Sequence, residues 1–320
     1  MDGGPAGAAA VRVVDEAELA AVLDDRGLVE CLRQAFRDGA DAPLRHHHAV
    51  PAPGGEGTLF LMPAWQPGRS LGVKVVTVFP GNDARGLSAV QAAYLLLDAE
   101  TGQPRALLDG AMLTRRRTAA ASALAAGYLA RADSSVLLMV GTGSLAPHLV
   151  AAHAAARPIR EVRVWGRSLE KAAALAARLD RAGLRVAAVA DLEPAVRAAD
   201  VVSCATLSAE PLVRGAWLRP GTHVDLVGGF TPAMREADDD AVRRSRVFVD
   251  TPAALEEAGD LVQPIAGGIL RKEDVADLFD LVRGRRPGRR GEAEITLFKS
   301  VGAALEDLAA AGLAFERLSR

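Results

Sequence analysis

The 320-residue chain has two cysteines, Cys31 and Cys204, far apart and each within an apolar stretch. A disulfide framework or a cysteine metal centre is not expected from such a pair; both read as buried thiols. Charge of one sign is also lacking. Lys+Arg 38 against Asp+Glu 40 leaves a net charge of −2, which supplies no global field for nucleic acid or an anionic membrane. No apolar run reaches membrane-spanning length, and Met1-Asp2-Gly3-Gly4-Pro5 lacks the basic start and apolar core of a secretory leader. The expected location is the cytoplasm. Internal repeats are absent. Three histidines, His46, His47 and His48, are adjacent on an extended segment, so they point different ways, and no metal site is expected. Half of the residues are hydrophobic, enough for one large or two ordinary cores.

Residues 136–146 carry the strongest signal. The apolar run Val136–Val140 ends in Gly141-Thr142-Gly143-Ser144-Leu145-Ala146, and a helix-competent segment follows. The pattern suits a nucleotide phosphate: the first glycine allows a tight turn, the second lets backbone approach the anion, and the small Ala146 permits helix-on-strand packing. About 25 residues further on, where a ribose-reading residue belongs, a second strand, Val162–Trp165, ends in Gly166-Arg167-Ser168. An NAD site usually places a carboxylate there, which would repel a 2′-phosphate; here Arg167 offers a cationic fork and Ser168 a hydroxyl. NADPH is therefore expected over NADH, which remains possible.

Alternating strands and helices continue through Leu169–Arg181, Val186–Val189, Val201–Cys204, His223–Val227 and Val247–Val249, the pattern of a doubly wound parallel sheet. Before it, one helix is expected from Asp15 to Phe36. Short strands follow at Thr58–Met62, Leu71–Phe79 and Tyr94–Leu97, with turn residues between them, as in an α+β sheet. The alanine-rich stretch after Thr114 reads as a crossover helix. The basic segment Arg283–Gly291 reads as a solvated loop, and Ile295–Leu308 as the start of a final helix returning to the first domain. The expected architecture is a Rossmann-type doubly wound parallel sheet, residues 121–295, inserted into an α+β substrate-binding and dimerisation domain, residues 1–120 plus 296–320. The substrate site is expected in the cleft between the two.

Six ordered motifs, Leu61-Met62-Pro63, Gly72-Val73-Lys74, Arg117-Thr118-Ala119-Ala120, Gly141-Thr142-Gly143, Val227-Gly228-Gly229 and Leu297 to Gly302, give the chain a resemblance to the ornithine cyclodeaminase and mu-crystallin family along nearly its whole length. The resemblance implies a homodimer, a nicotinamide cofactor, and chemistry at carbon–nitrogen bonds of amino or imino acids. It also implies that Arg45, Lys74 and Arg117 hold a substrate carboxylate, with Met62, Phe60 and Phe230 nearby. Independently, a lysine inside an apolar strand is costly to bury unless paired with an anion, supplied by substrate or by an internal acid. Candidate cofactor residues are Arg117, Thr118, Gly141, Thr142, Gly143, Ser144, Leu145, Ala146, Trp165, Gly166, Arg167, Ser168, Thr206, Ser208, Val227, Gly228 and Ser300.

Two departures narrow the chemistry. The family's cyclodeaminases carry an aspartate at the position of Phe230 and a glutamate at that of Phe60. Without them a side-chain ammonium is poorly accommodated, while a compact cyclic imine with one carboxylate fits. The expectation is NADPH-dependent reduction of Δ1-pyrroline-2-carboxylate to L-proline, and of Δ1-piperideine-2-carboxylate to L-pipecolate, by hydride transfer to the C2 imine carbon. Lys74 is the candidate catalytic residue, and Asp225, within a strand, is the alternative acid. Three other readings stay open: an ornithine cyclodeaminase, an alanine-type dehydrogenase, and a mu-crystallin-like NADPH-dependent binding protein.

Overall fold

The computed structural model describes residues 10–53 and 55–320, so the amino-terminal stretch read for a leader lies outside the described residues. Along the chain run β1 (Arg12–Val14), α1 (Glu16–Val22), α2 (Asp25–Asp38), β2 (His46–Val50), β3 (Gly57–Gln66), β4 (Ser70–Val78), β5 (Val90–Leu97), β6 (Pro104–Asp109) and α3 (Gly110–Leu129). There follow β7 (Val136–Val140), α4 (Ala146–Ala156), β8 (Glu161–Trp165), α5 (Leu169–Leu179), β9 (Arg185–Ala188), α6 (Leu192–Ala198), β10 (Val201–Cys204) and β11 (His223–Leu226). The last elements are α7 (Asp239–Arg244), β12 (Arg246–Val249), α8 (Ala254–Glu257), α9 (Gly259–Ala266), β13 (Ala276–Asp277), α10 (Leu278–Val282), β14 (Thr296–Lys299) and α11 (Ala304–Leu318).

Two compact units emerge. The first comprises the described residues to Asp24, Asp38–Thr114 and Ala304–Arg320; the second comprises Asp25–Arg37 and Arg115–Ala303. In the first unit a six-stranded sheet has the order β1-β6-β5-β4-β3-β2, antiparallel except for the β1–β6 pair. Strand side chains alternate between faces, so the directly paired Met62, Lys74, Tyr94 and Leu108 share one face, and this face is buried. Helix α11 packs on it across β3, β4 and β5, with α1 against α11. A capping box of Asp15 and Glu18 fixes the start of α1.

In the second unit eight parallel strands run in the order β13-β12-β14-β11-β10-β7-β8-β9. Both faces are covered, so the central strands are apolar runs instead of alternating ones. Leu137 and Met139 enter one core with α4 and α5; Leu138 and Val140 enter the other with α6 and α7. This is the doubly wound α/β fold expected from the strand–helix alternation.

Three expectations need correction. The single helix from Asp15 to Phe36 is two, because the chain breaks at Leu23–Asp24 before α2 begins. Ile295–Leu308 is not a continuous helix either: Thr296–Lys299 forms β14, paired in parallel with β11 and β12, and α11 begins only at Ala304. A central buried strand of four residues is too short for its period to be told from a helical turn. In the basic loop Arg283, Arg285 and Arg286 are exposed as expected, but Arg289 is half-buried and donates to carbonyls of Leu129 and Gly221. It fastens the loop instead of lying in solvent.

Candidate active site

The turn after β7 has the geometry of an anion cradle. Gly141 adopts φ 122°, its N–H donates to the Trp165 carbonyl at 2.9 Å, and a Cβ there would lie 2.5 Å from the Ala205 carbonyl oxygen, so only glycine fits. Gly143 is exposed, and nothing lies within 4 Å of where its side chain would begin. Leu145 caps α4 without a side-chain hydrogen bond, and Pro147 sits in the first turn. An open backbone at an uncapped helix start is what a pyrophosphate requires.

At the end of β8, Trp165 Nε1 donates to the Ala190 carbonyl at 3.1 Å, and Gly166 passes so close to Thr142 that a Cβ would stand 2.8 Å from Thr142 Cγ2. Arg167 is exposed and forms no hydrogen bond or ion pair with another described residue. Ser168 Oγ accepts from Lys171 N at 3.2 Å, capping α5, and its own proton remains to be donated. Gly141, Thr142, Trp165, Gly166, Arg167, Thr206 and Ser208 line one cleft of about 230 Å³, together with Ala205, Leu207 and Leu212. No acid is among the lining residues.

The loops leaving β10, β11 and β14 are tied from behind by buried carboxylates that sequence reasoning did not single out. Glu236 accepts from Thr206 N at 2.7 Å, Thr206 Oγ1 at 2.8 Å and Gly228 N at 2.7 Å. Asp250 Oδ2 accepts from Ser300 Oγ at 2.9 Å, Val301 N at 2.7 Å and Gly302 N at 2.6 Å, so the Ser300 proton is committed within the protein. Gly302, with φ 81°, lies against the buried Arg117 guanidinium and has no room for a side chain. Thr118 follows Arg117 on α3 and is also buried. Asp225 is fully buried; burial raises its pKa, but the contacts from His153 Nε2 (3.0 Å) and Ser203 Oγ (2.7 Å) outweigh it and hold the carboxyl below its ordinary value. That arrangement marks Asp225 as a core carboxylate.

In the first unit, Lys74 is 2% exposed and its Nζ lies 2.6 Å from Asp307 Oδ2 on α11, itself fully buried. The anion required by a lysine in an apolar strand is thus an internal acid. Tyr94, paired with Lys74 across β4–β5, lies over Gly72, and its hydroxyl has no hydrogen-bond partner among the described residues. Burial, then the charge of Asp307, pushes the Tyr94 phenol well above its ordinary value. Met62 is buried on the same face, and Phe60 packs edge-on against His47 with ring centroids 4.7 Å apart. Arg45 is partly exposed just before β2. Phe230, in the second unit, follows β11 and is 42% exposed. His46 and His48 share one side of β2, and His47 takes the other with Phe60.

A parallel sheet with a glycine turn, an open helix start and an acid-free cleft defines a dinucleotide-binding α/β protein. The family model of ornithine cyclodeaminase and mu-crystallin matches residues 9–320, and the chain belongs to that family. Over 287 residues it is 44% identical to a Δ1-pyrroline-2-carboxylate reductase of Paracoccus denitrificans, covering 86% of this chain and 90% of the relative. Among solved structures it resembles the Thermococcus litoralis Δ1-pyrroline-2-carboxylate reductase in complex with NADH and L-proline, with TM-score 0.91 and 34% identity, covering 97% of this chain and 98% of the other. An archaeal alanine dehydrogenase dimer with bound NAD gives TM-score 0.89 at 30% identity, covering 97% and 96%.

Proposed function

We propose that this protein is an NADPH-dependent reductase of a cyclic ketimine, with Δ1-pyrroline-2-carboxylate as substrate and L-proline as product, and the six-membered homologue as a second substrate. The observation that carries the reading is the near full-length likeness to reductases of that name. The residues fit the cofactor: the cradle at Gly141 and Gly143 suits its pyrophosphate, and the acid-free cleft with Arg167 suits a 2′-phosphate. The Thermococcus structure holds NADH and the alanine dehydrogenase NAD, so the preference for the phosphorylated form rests on Arg167 and Ser168 alone.

A nicotinamide held by these residues would supply the hydride that the C2 imine carbon accepts, with a proton taken up at the ring nitrogen. A protonated ring imine is the better acceptor, so the protein's main tasks are orientation and exclusion of water. Arg45, Lys74 and Arg117 are assigned to the substrate carboxylate. Asp307 already faces Lys74, so the substrate carboxylate would share that cation with an internal acid. Phe60, Met62 and Phe230 supply the apolar surroundings of the ring.

The protein is further proposed to act as a homodimer. The face of the first unit's sheet opposite α11 presents Leu59, Leu61, Val73, Val75 and Leu95, all partly exposed, and Leu107, 40% exposed. These side chains support the reading of this face as an association surface. Reductive amination of an open-chain oxo acid is the second reading, favoured by the likeness to alanine dehydrogenase. The purified protein is to be assayed with NADPH against pyrroline carboxylate, piperideine carboxylate, and pyruvate with ammonia. Turnover confined to the last would overturn the cyclic-imine reading.

A further inference from the structure

Three ionisable side chains, Glu236, Asp260 and Lys299, are fully buried together in the second unit. Lys299 is the last residue of β14, and its Nζ lies 3.1 Å from Asp260 Oδ2 and 3.9 Å from Glu236 Oε2. Asp260, in the first turn of α9, turns its other oxygen to the backbone, accepting from Glu236 N at 2.7 Å and Ala237 N at 3.1 Å. Glu236 in turn spreads over two loops. Its Oε1 takes both protons of Thr206, after β10, and its Oε2 takes those of Gly228 at 2.7 Å and Gly229 at 3.4 Å, after β11.

Such a cluster is a poor way to stabilise a core. Two carboxylates against one ammonium leave excess negative charge in a low dielectric, and burial pushes the Glu236 carboxyl above its ordinary value. Apolar side chains of similar volume would hold the space at no such cost. What they could not do is bind four donors on two loops at once. The loops are also pressed together, because Gly228 sits on the Thr206 backbone where no Cβ fits.

The place of those loops gives the cluster its meaning. Strands β10 and β11 lie beside β7, on the side away from β8, whose end carries Arg167. A dinucleotide lying across the carboxyl ends of the strands, with its adenosine at β8 and its pyrophosphate at β7, brings its nicotinamide to the ends of β10 and β11. We propose that Glu236, braced by Lys299 and Asp260, is a positioning residue that sets the Thr206 and Gly228 loops as the shelf for the nicotinamide half of the cofactor. This rests on the dinucleotide reading above.

The test separates the two halves of the ligand. Binding of NADPH and of 2′-phospho-ADP-ribose, which lacks the nicotinamide ring, is measured by titration calorimetry on the full-length protein and on Glu236→Gln. An amide must turn its NH2 toward one pair of donors, so NADPH affinity should fall about tenfold or more and by a clearly larger factor than that of the fragment, because Thr206 but not Gly228 lines the cleft with Arg167. Glu236→Asp, which keeps the charge but is too short to reach both loops, should show the same selective loss and serves if the amide variant does not fold. Equal loss of both ligands, as from general loosening, or no loss of either, would overturn the proposal. Failure of the parent protein to bind either ligand would instead overturn the dinucleotide reading on which it rests.

Discussion

Lys74 Nζ lies 2.6 Å from Asp307 Oδ2, with the lysine 2% exposed and the aspartate fully buried. Neither charge can be removed alone without leaving the other in a low dielectric. Lys74→Met is therefore expected to lose about 3–5 kcal/mol of stability, because it takes this counter-charge from a buried carboxylate. The double variant Lys74→Met/Asp307→Asn should recover much of that loss in denaturant unfolding yet remain without imine turnover. Turnover close to the parent's in the folded double variant would make Lys74 purely structural.

Arg167 faces solvent with no partner among the described residues, at the edge of a cleft that none of the described acids lines. Replacing it with alanine should weaken NADPH by about 1.5–3 kcal/mol, the range for a hydrogen bond to a charged group, and leave NADH nearly untouched. Separate dissociation constants for the two cofactors check this. Equal losses would remove the argument for a 2′-phosphate.

His223 sits fully buried beside Thr296 Oγ1 at 3.0 Å, and desolvation is the main cause that lowers its pKa from 6.5 to about 3. Between those values the unfolded chain binds a proton that the folded protein does not. This group's contribution is therefore present above 6.5 and is lost as pH falls, by about 1.4 kcal/mol per pH unit. Asp225, whose pKa is depressed, adds to the loss only below the ordinary aspartate value of 3.8. Denaturant unfolding at a series of pH values should show a shallower slope in His223→Gln than in the parent between about pH 6 and 4; identical slopes would contradict the assignment.

The nucleotide half was legible because its signals are local. Val136–Val140 is an unbroken apolar run, and Gly141 and Gly143 follow it at once; the structure finds the strand at those residues and a positive φ at the first glycine. Thr296–Lys299 was missed because a short strand buried on both faces has no period of its own. Glu236, Asp250 and Asp307 were missed for another reason. Each is a carboxylate in an unremarkable stretch, and its role depends on partners at Thr206, Ser300 and Lys74 that only folding brings near. Lys74 itself announced that an anion must be close, but not that α11 supplies it.

Phe230 is 42% exposed at the position where cyclodeaminases of the family carry an acid. Phe230→Asp should raise ornithine-dependent ammonia release and lower imine reduction, since a carboxylate there gives a side-chain ammonium its counter-charge. The ratio of the two rates before and after substitution is the readout, and an unchanged ratio would place Phe230 outside the substrate's reach.

The central claim is tested most directly by kcat/KM of the unmodified protein for NADPH-dependent reduction of Δ1-pyrroline-2-carboxylate, set beside kcat/KM for ammonia release from ornithine. Desolvating an unpaired ammonium costs several kcal/mol, so imine reduction should exceed ornithine turnover by at least about a hundredfold. Robust ammonia release without measurable imine reduction would contradict the account.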